Sequence, residues 1–392
     1  MYRRSTYQTL CDRLREPRRF IQVLMGPRQV GKTTVMQQVI ADLDVPCRMF
    51  SADAVTRPGW IHECWEQVRI LMRVQSLREF VIVFDEIQKI PGWSELVKKE
   101  WDDDTFRALN IKAVLLGSSR VMLEKGLADS MAGRFEEIRI GHWSYPEMRD
   151  AFGVSLEEYV YFGAYPGAVS LQTDEQRWKD YILAAMIETA IQRDIILQTE
   201  IRKPALLRQT FELGAAYSGH LLSLTKMLGS LQDAGNTVTL AGYLNLLRES
   251  CMLTGLQKYS MDMARKRASA PKLQVYNNAL TCVYQNETFA QAVETPAFWG
   301  RIFESAIGAH IVNQAFVSRF DVYYWREKSD EVDFVLSRNQ SVVAIEVKSN
   351  AESNTRGLQR FREMFHPDTA IVVGESGIRP EEFLAMDLAR VW

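Results

Sequence analysis

From Phe20 to about residue 150, short unbroken apolar runs alternate with stretches whose apolar positions recur every three to four residues. Parallel strands buried on both faces and joined by helices produce that alternation. Phe20 to Met25, Phe80 to Phe84 and Ile111 to Leu116 read as buried strands, and Val35, Met36, Val39 and Ile40 give Lys32 to Asp42 a helical spacing. The pattern then changes. Glu157 to Ile201 and Ala205 to Leu228 are mostly helical, interrupted at Gly163, Pro166 and Pro204, so the middle of the chain reads as all-α. Between Leu222 and Tyr259 three short helical segments, broken at Asp233 to Asn236, lead into two strand-like stretches that flank Met261 to Pro271. Three helices followed by a hairpin outline a winged helix. After Pro296 an amphipathic helix to about Val317 precedes strands at Val322 to Trp325, Val332 to Leu336, Val342 to Val347 and Thr369 to Val373, a second α/β unit.

Composition narrows the class without naming a chemistry. At 392 residues, with 47% apolar and 24% charged positions, the chain has room for two or three domains and does not fit collagen, coiled coil or wholesale disorder. The apolar runs fall short of the roughly 18 residues a membrane span needs. The basic N-terminal stretch (Arg3, Arg4, Arg13, Arg15, Arg18, Arg19) leads into an apolar run too short for a secretory leader. Five cysteines, Cys11, Cys47, Cys64, Cys251 and Cys282, lack the close pairing of a disulfide framework or zinc ribbon. They are expected to be reduced packing residues in a cytoplasmic protein. A net charge of −2 means that any nucleic-acid binding must come from a local patch.

One segment carries a specific chemistry. Gly26, Pro27, Arg28, Gln29, Val30, Gly31, Lys32 and Thr33 match the phosphate-loop pattern at every fixed position, after a strand and before a helix, with Thr34 next. The glycines let backbone N–H groups wrap phosphate oxygens, Lys32 is placed for the β- and γ-phosphates, and Thr33 for Mg²⁺. ATP and Mg²⁺ are the expected cofactors. About 50 residues on, the Val81 to Phe84 run ends in Asp85 and Glu86. Asp85 would hold the Mg²⁺ shell through water, and Glu86 would polarise the attacking water. Ser118, after the Ile111 to Leu116 strand, is a candidate contact to the γ-phosphate or the lytic water. Arg134 is a candidate transition-state arginine, acting within the chain or on a neighbouring subunit.

These features together resemble the prokaryotic AAA+-type ATPases that carry a C-terminal domain of unknown function with a restriction-endonuclease-like core. The resemblance covers nearly the whole chain. It rests on Gly26 to Thr33, Val81 to Glu86, Leu116-Gly117-Ser118-Ser119, Ala132-Gly133-Arg134, Gly163-Ala164-Tyr165-Pro166 and Ala270-Pro271-Lys272-Leu273. Gly141-His142-Trp143-Ser144-Tyr145 departs from the family's leucine- and proline-rich stretch, and Asn277 and Asn278 stand where the family is often acidic. The resemblance implies an AAA+ P-loop core over 1–150, a helical lid over 151–204, a winged helix over 205–280 and a nuclease-like α/β domain over 281–392.

Two further clusters bear on DNA. Lys258, Arg265, Lys266, Arg267 and Lys272 stand near one acid, Asp262, in and beside the expected hairpin. Arg265, Lys266 and Arg267 are the expected DNA-backbone contacts; the preceding helix offers only Asn245 and Arg248 for base edges, so shape or backbone recognition is expected. Near the C-terminus, Asp333 lies on one expected strand and Glu346 and Lys348 share a face of the next. Glu304, on the helix before them, is the expected third acid of a Mg²⁺ or Mn²⁺ site. Lys348 would help deprotonate a water for attack on a phosphodiester, as in restriction-like nucleases. The same residues also fit a fold that binds DNA or a partner without cutting. A nucleotide-switched scaffold, with or without assembly into a homo-oligomer, is thus the alternative to an ATPase that acts on DNA.

Overall fold

The computed structural model describes residues 2–55, 57–117, 127, 131–197, 201–231, 235–262, 269–348 and 355–392. It divides into two compact units, Met1–Ile140 and Gly141–Trp392. The expected boundaries at 150, 204 and 280 do not coincide with that division.

The first unit runs α1 (Ser5–Arg15), β1 (Ile21–Met25), α2 (Lys32–Asp42), β2 (Cys47–Ser51), α3 (Gly59–Val74), β3 (Phe80–Asp85), α4 (Trp93–Phe106), β4 (Ile111–Gly117) and β5 (Phe135–Arg139). Its sheet has the order β2-β3-β4-β1-β5, with every neighbouring pair parallel. Strands β1, β3 and β4 are buried along their whole length, because successive side chains feed opposite layers. Val23 and Ile82 pack with Trp65 and Trp101 on one face, while Leu24 and Val83 pack with Leu10 and Met36 on the other.

The second unit opens with α5 (Tyr145–Phe152) and α6 (Leu156–Phe162), both started by reciprocal caps, Ser144 with Glu147 and Ser155 with Glu158. Helix α7 (Glu175–Tyr181) continues in π-type turns over Ile182–Glu188 and Ala190–Ile196. There follow α8 (Pro204–Ala216), α9 (Leu224–Ser230), α10 (Thr237–Glu249) and an antiparallel pair, β6 (Leu253–Lys258) with β7 (Lys272–Val275). After the short helices α11 (Ala279–Cys282) and α12 (Phe289–Glu294) comes α13 (Pro296–Ser318), then β8 (Asp321–Glu327), β9 (Asp330–Arg338), β10 (Ser341–Val347), α14 (Arg356–Phe365), β11 (Thr369–Val373) and α15 (Pro380–Ala385).

One sheet of order β11-β10-β9-β8-β6-β7 ties this unit together. The hairpin enters it through a parallel pairing of β6 with β8, Gln257 beside Tyr323 and Lys258 beside Tyr324. The sheet therefore crosses residue 280. Helix α13 also departs from expectation: residues 306–312 are all buried, so it is enclosed rather than one-faced. No helix among the described residues is long and apolar enough to cross a membrane. The five cysteines are free thiols, and burial pushes Cys47 up to about 11 and Cys64 to about 12.

Candidate nucleotide site and a second charged cluster

The phosphate loop connects β1 to α2. A Cβ at Gly26 would lie 2.1 Å from the Ile140 carbonyl oxygen, so only glycine fits where the loop leaves the strand. Gly31 caps α2 with φ +88°, a left-handed turn that points the first-turn N–H groups back into the loop. Lys32 is buried, and its ammonium donates to the carbonyls of Gly26 and Pro27 at 2.8 and 2.7 Å. Arg4, which the sequence placed only in a basic N-terminal stretch, donates to the Val30 carbonyl at 2.9 Å and braces the loop from the N-terminal segment. Arg28 is half-buried, while Gln29, Thr33 and Thr34 are exposed.

Strand β4 lies between β1 and β3, which puts the two strand ends about 10 Å apart. Thr33, in the first turn of α2, closes that gap: its hydroxyl donates to Asp85 Oδ2 at 2.9 Å. Burial raises the Asp85 carboxyl, the Thr33 hydrogen bond opposes the rise, and the charge of Glu86 adds to it. Glu86 follows in a left-handed conformation, φ 55° and ψ 33°, uncommon for a non-glycine residue. Its Oε2 accepts from Gln88 Nε2 at 2.8 Å. A hydroxyl, a carboxylate and an ammonium thus surround the loop, as an Mg²⁺–triphosphate requires.

Two other candidates fare differently. Ser118 lies outside the described residues; Gly117 before it pairs with Met25 at the loop end of the sheet. Arg134 is held by Asp102, with Nε at 2.8 Å and Nη2 at 3.0 Å. Phe135 pairs with Ile21, whereas Met25 at the loop end pairs with Arg139. Arg134 therefore stands at the opposite end of the strands, on the order of 13 Å from the loop, and the role within its own chain is corrected by strand register.

In the second unit, Phe334 pairs with Ile345, so Glu346 stands beside Asp333 on the adjacent strand. Asp333 Oδ2 accepts from the Val347 N–H at 2.7 Å, and Lys348 Nζ lies 2.6 Å from Glu346 Oε1. Glu346 Oε2 is buried with no hydrogen-bond partner, and burial followed by the charge of Asp333 raises this carboxyl. These three residues come together. Glu304 also arrives, but not as a third ligand: Lys272 Nζ sits 2.6 Å from Glu304 Oε1, 3.7 Å from Asp333 Oδ1 and 3.1 Å from the Asp333 carbonyl. Among the described residues the three carboxylates do not offer oxygens within 4.8 Å of one another. The expected Glu304 ligation is corrected on geometry: its carboxylate is drawn to Lys272 rather than into a common set with the oxygens of Asp333 and Glu346. Burial alone would push Lys272 down, yet the charges of Glu304 and Asp333 raise it overall.

Lys272 was grouped with the basic hairpin, and it is instead 5% exposed. The signal that could have placed it is the alternation Lys272-Leu273-Gln274-Val275, which sets a lysine and a glutamine on one face of a strand buried throughout. Arg265, Lys266 and Arg267 lie outside the described residues.

Residues 18–149 match the family described as "AAA domain". The chain carries an AAA-type ATPase domain. Residues 154–290 match "Domain of unknown function (DUF8612)" and residues 299–382 match "Domain of unknown function (DUF4143)". No curated protein matches the sequence. Among solved structures, the Thermotoga maritima RuvB Holliday junction branch migration motor is 16% identical, with a TM-score of 0.35, covering 64% of this chain and 89% of that one. A T. maritima RuvB variant gives 16% and 0.34, over 64% and 85%. Likenesses of this size carry no functional argument.

Proposed function

We propose that the ATPase domain hydrolyses ATP with Mg²⁺ and that hydrolysis is coupled to binding or remodelling of DNA by the rest of the chain. The observation that carries the first half is the 2.9 Å contact between Thr33 and Asp85 beside Lys32, with Glu86 next in the chain. In this reading the Gly26 to Thr34 backbone and Lys32 bind the phosphates, Thr33 and Asp85 hold the metal, and Glu86 takes the proton of the attacking water. Mg²⁺, when bound, supplies charge neutralisation at the phosphates. The DNA half rests on the order α8, α9, α10, β6, β7, which is that of a winged helix, with Arg265, Lys266 and Arg267 between the two strands.

A second reading, a nucleotide-switched scaffold whose C-terminal cluster does not cut DNA, draws support from the ion pairs of Lys272 with Glu304 and Asp333. One assay separates the two. Mg²⁺-dependent ATP turnover is expected to rise severalfold with double-stranded or branched DNA and to lose that response when Arg265, Lys266 and Arg267 are replaced together by alanine. Turnover indifferent to every DNA offered supports the scaffold.

A further inference from the structure

Helices α3 and α4 flank β3 in sequence, the strand that ends in Asp85, and a charged cluster joins them that the nucleotide chemistry does not use. His62 and Glu66 stand one turn apart on α3 and face Glu100 of α4. One ligand atom from each lies within 4.8 Å of the other two, and His62 Nδ1 is 2.8 Å from Glu100 Oε1. A tetrahedral ion with bonds near 2.1 Å holds its donors about 3.4 Å apart, so His62 and Glu100 would part slightly to admit it.

The carboxylates are also oriented. Arg69 Nη1 takes Oε1 of Glu66 and Oε2 of Glu100, both at 2.7 Å, which turns Glu100 Oε1 toward His62 and leaves Glu66 Oε2 off Arg69. Arg69 cannot wander, because its Nε donates to Asp104 at 2.8 Å and Asp104 is held in turn by Trp65 Nε1 at 2.7 Å. This is the outer support that metal-bound carboxylates ordinarily have. Glu66, Glu100 and Asp104 all bond the guanidinium of Arg69, with Arg107 also acting on Glu66 and Arg18 on Asp104, and Glu100 and Asp104 are only 3% and 0% exposed. The His62 side chain is 57% exposed, which keeps one side of the cluster open for a water as fourth ligand.

We propose that His62, Glu66 and Glu100 form a zinc site that staples α3 to α4 and so steadies the strand carrying Asp85. An imidazole with two carboxylates selects Zn²⁺ over Mg²⁺, which prefers an all-oxygen shell.

The test uses the full chain without a purification tag, freed of metal by chelation and titrated with Zn²⁺ in the absence of nucleotide. One equivalent is expected to bind and to raise the melting temperature, with no response to Mg²⁺. His62→Ala, a change at a half-exposed position, is expected to weaken that binding by at least about 100-fold while circular dichroism stays native. Co²⁺ in place of Zn²⁺ is expected to show no thiolate charge-transfer band, which separates this site from one built on nearby Cys64. Absence of stoichiometric binding, unchanged binding in His62→Ala, or a thiolate band would each overturn the proposal.

Discussion

Lys32 and Lys272 are both buried ammonium groups, at 7% and 5% exposure, and the chain holds them in opposite ways. Lys32 donates to two neutral loop carbonyls, which a phosphate oxygen can replace with gain, because a charged acceptor strengthens the bond. Lys272 is paired with the carboxylate of Glu304 and stands beside that of Asp333. An incoming divalent ion would have to displace it and leave it buried without compensation. The comparison teaches that residue types alone do not define a site: acids and a lysine converge in both units, and the partner of the lysine decides which is ready for a ligand.

The largest expected effect tests that contrast in the second unit. Lys272→Ala removes the cation and leaves Glu304 and Asp333 facing each other, and breaking a buried pair of this kind costs about 3 to 5 kcal/mol. Denaturant unfolding reads the loss directly. Adding Glu304→Gln to the same chain should recover part of it, since the second change removes the stranded charge. A loss below about 1 kcal/mol would mean that Lys272 is not the counterion of the cluster. If Mn²⁺ restores stability in Lys272→Ala but leaves the parent unmoved, the lysine stands where a metal would.

Much of the first unit was legible because its information is local. Gly26 to Thr33 is contiguous, its strand and helix flank it, and Asp85 and Glu86 end an apolar run that can only be a buried strand. The strands of the second unit were legible too, from alternation and turns. What stayed hidden depends on pairings between distant segments. Four residues of β7 carry Lys272 to Glu304 and Asp333, and the parallel pairing of β6 with β8 draws the expected wing into the same sheet as Asp333 and Glu346. No periodicity announces a partner 61 residues away. Likewise, nothing in Ala132-Gly133-Arg134 says which end of the strands it occupies; the register of Phe135 on Ile21 does.

In the first unit the corresponding change is Glu86→Gln, which keeps shape and removes the base. Nucleotide affinity is expected to hold while turnover falls about 100-fold or more, equivalent to about 2.7 kcal/mol of transition-state stabilisation. Fluorescent-nucleotide titration and phosphate release measure the two quantities on one preparation. Turnover equal to the parent would remove Glu86 from catalysis and leave the loop as a binding site only. Such a result would also narrow the contrast between the units, since each would then hold charge without chemistry.

The smallest expected effect concerns Arg134, where strand register opposes a motif. Its pair with Asp102 is partly exposed, 33% and 44% at the two side chains, and exposed pairs contribute about 0 to 1 kcal/mol. Arg134→Ala should therefore move the melting temperature by only a few degrees. Because the residue stands at the far end of the strands from the loop, turnover of dilute protein, where chains are separate, is expected to match the parent. A hundredfold fall under those conditions would return Arg134 to the phosphates of its own chain and contradict the register. A fall that grows with protein concentration would instead mean that Arg134 leaves Asp102 to serve a neighbouring subunit, a step whose cost is no more than that weak ion pair.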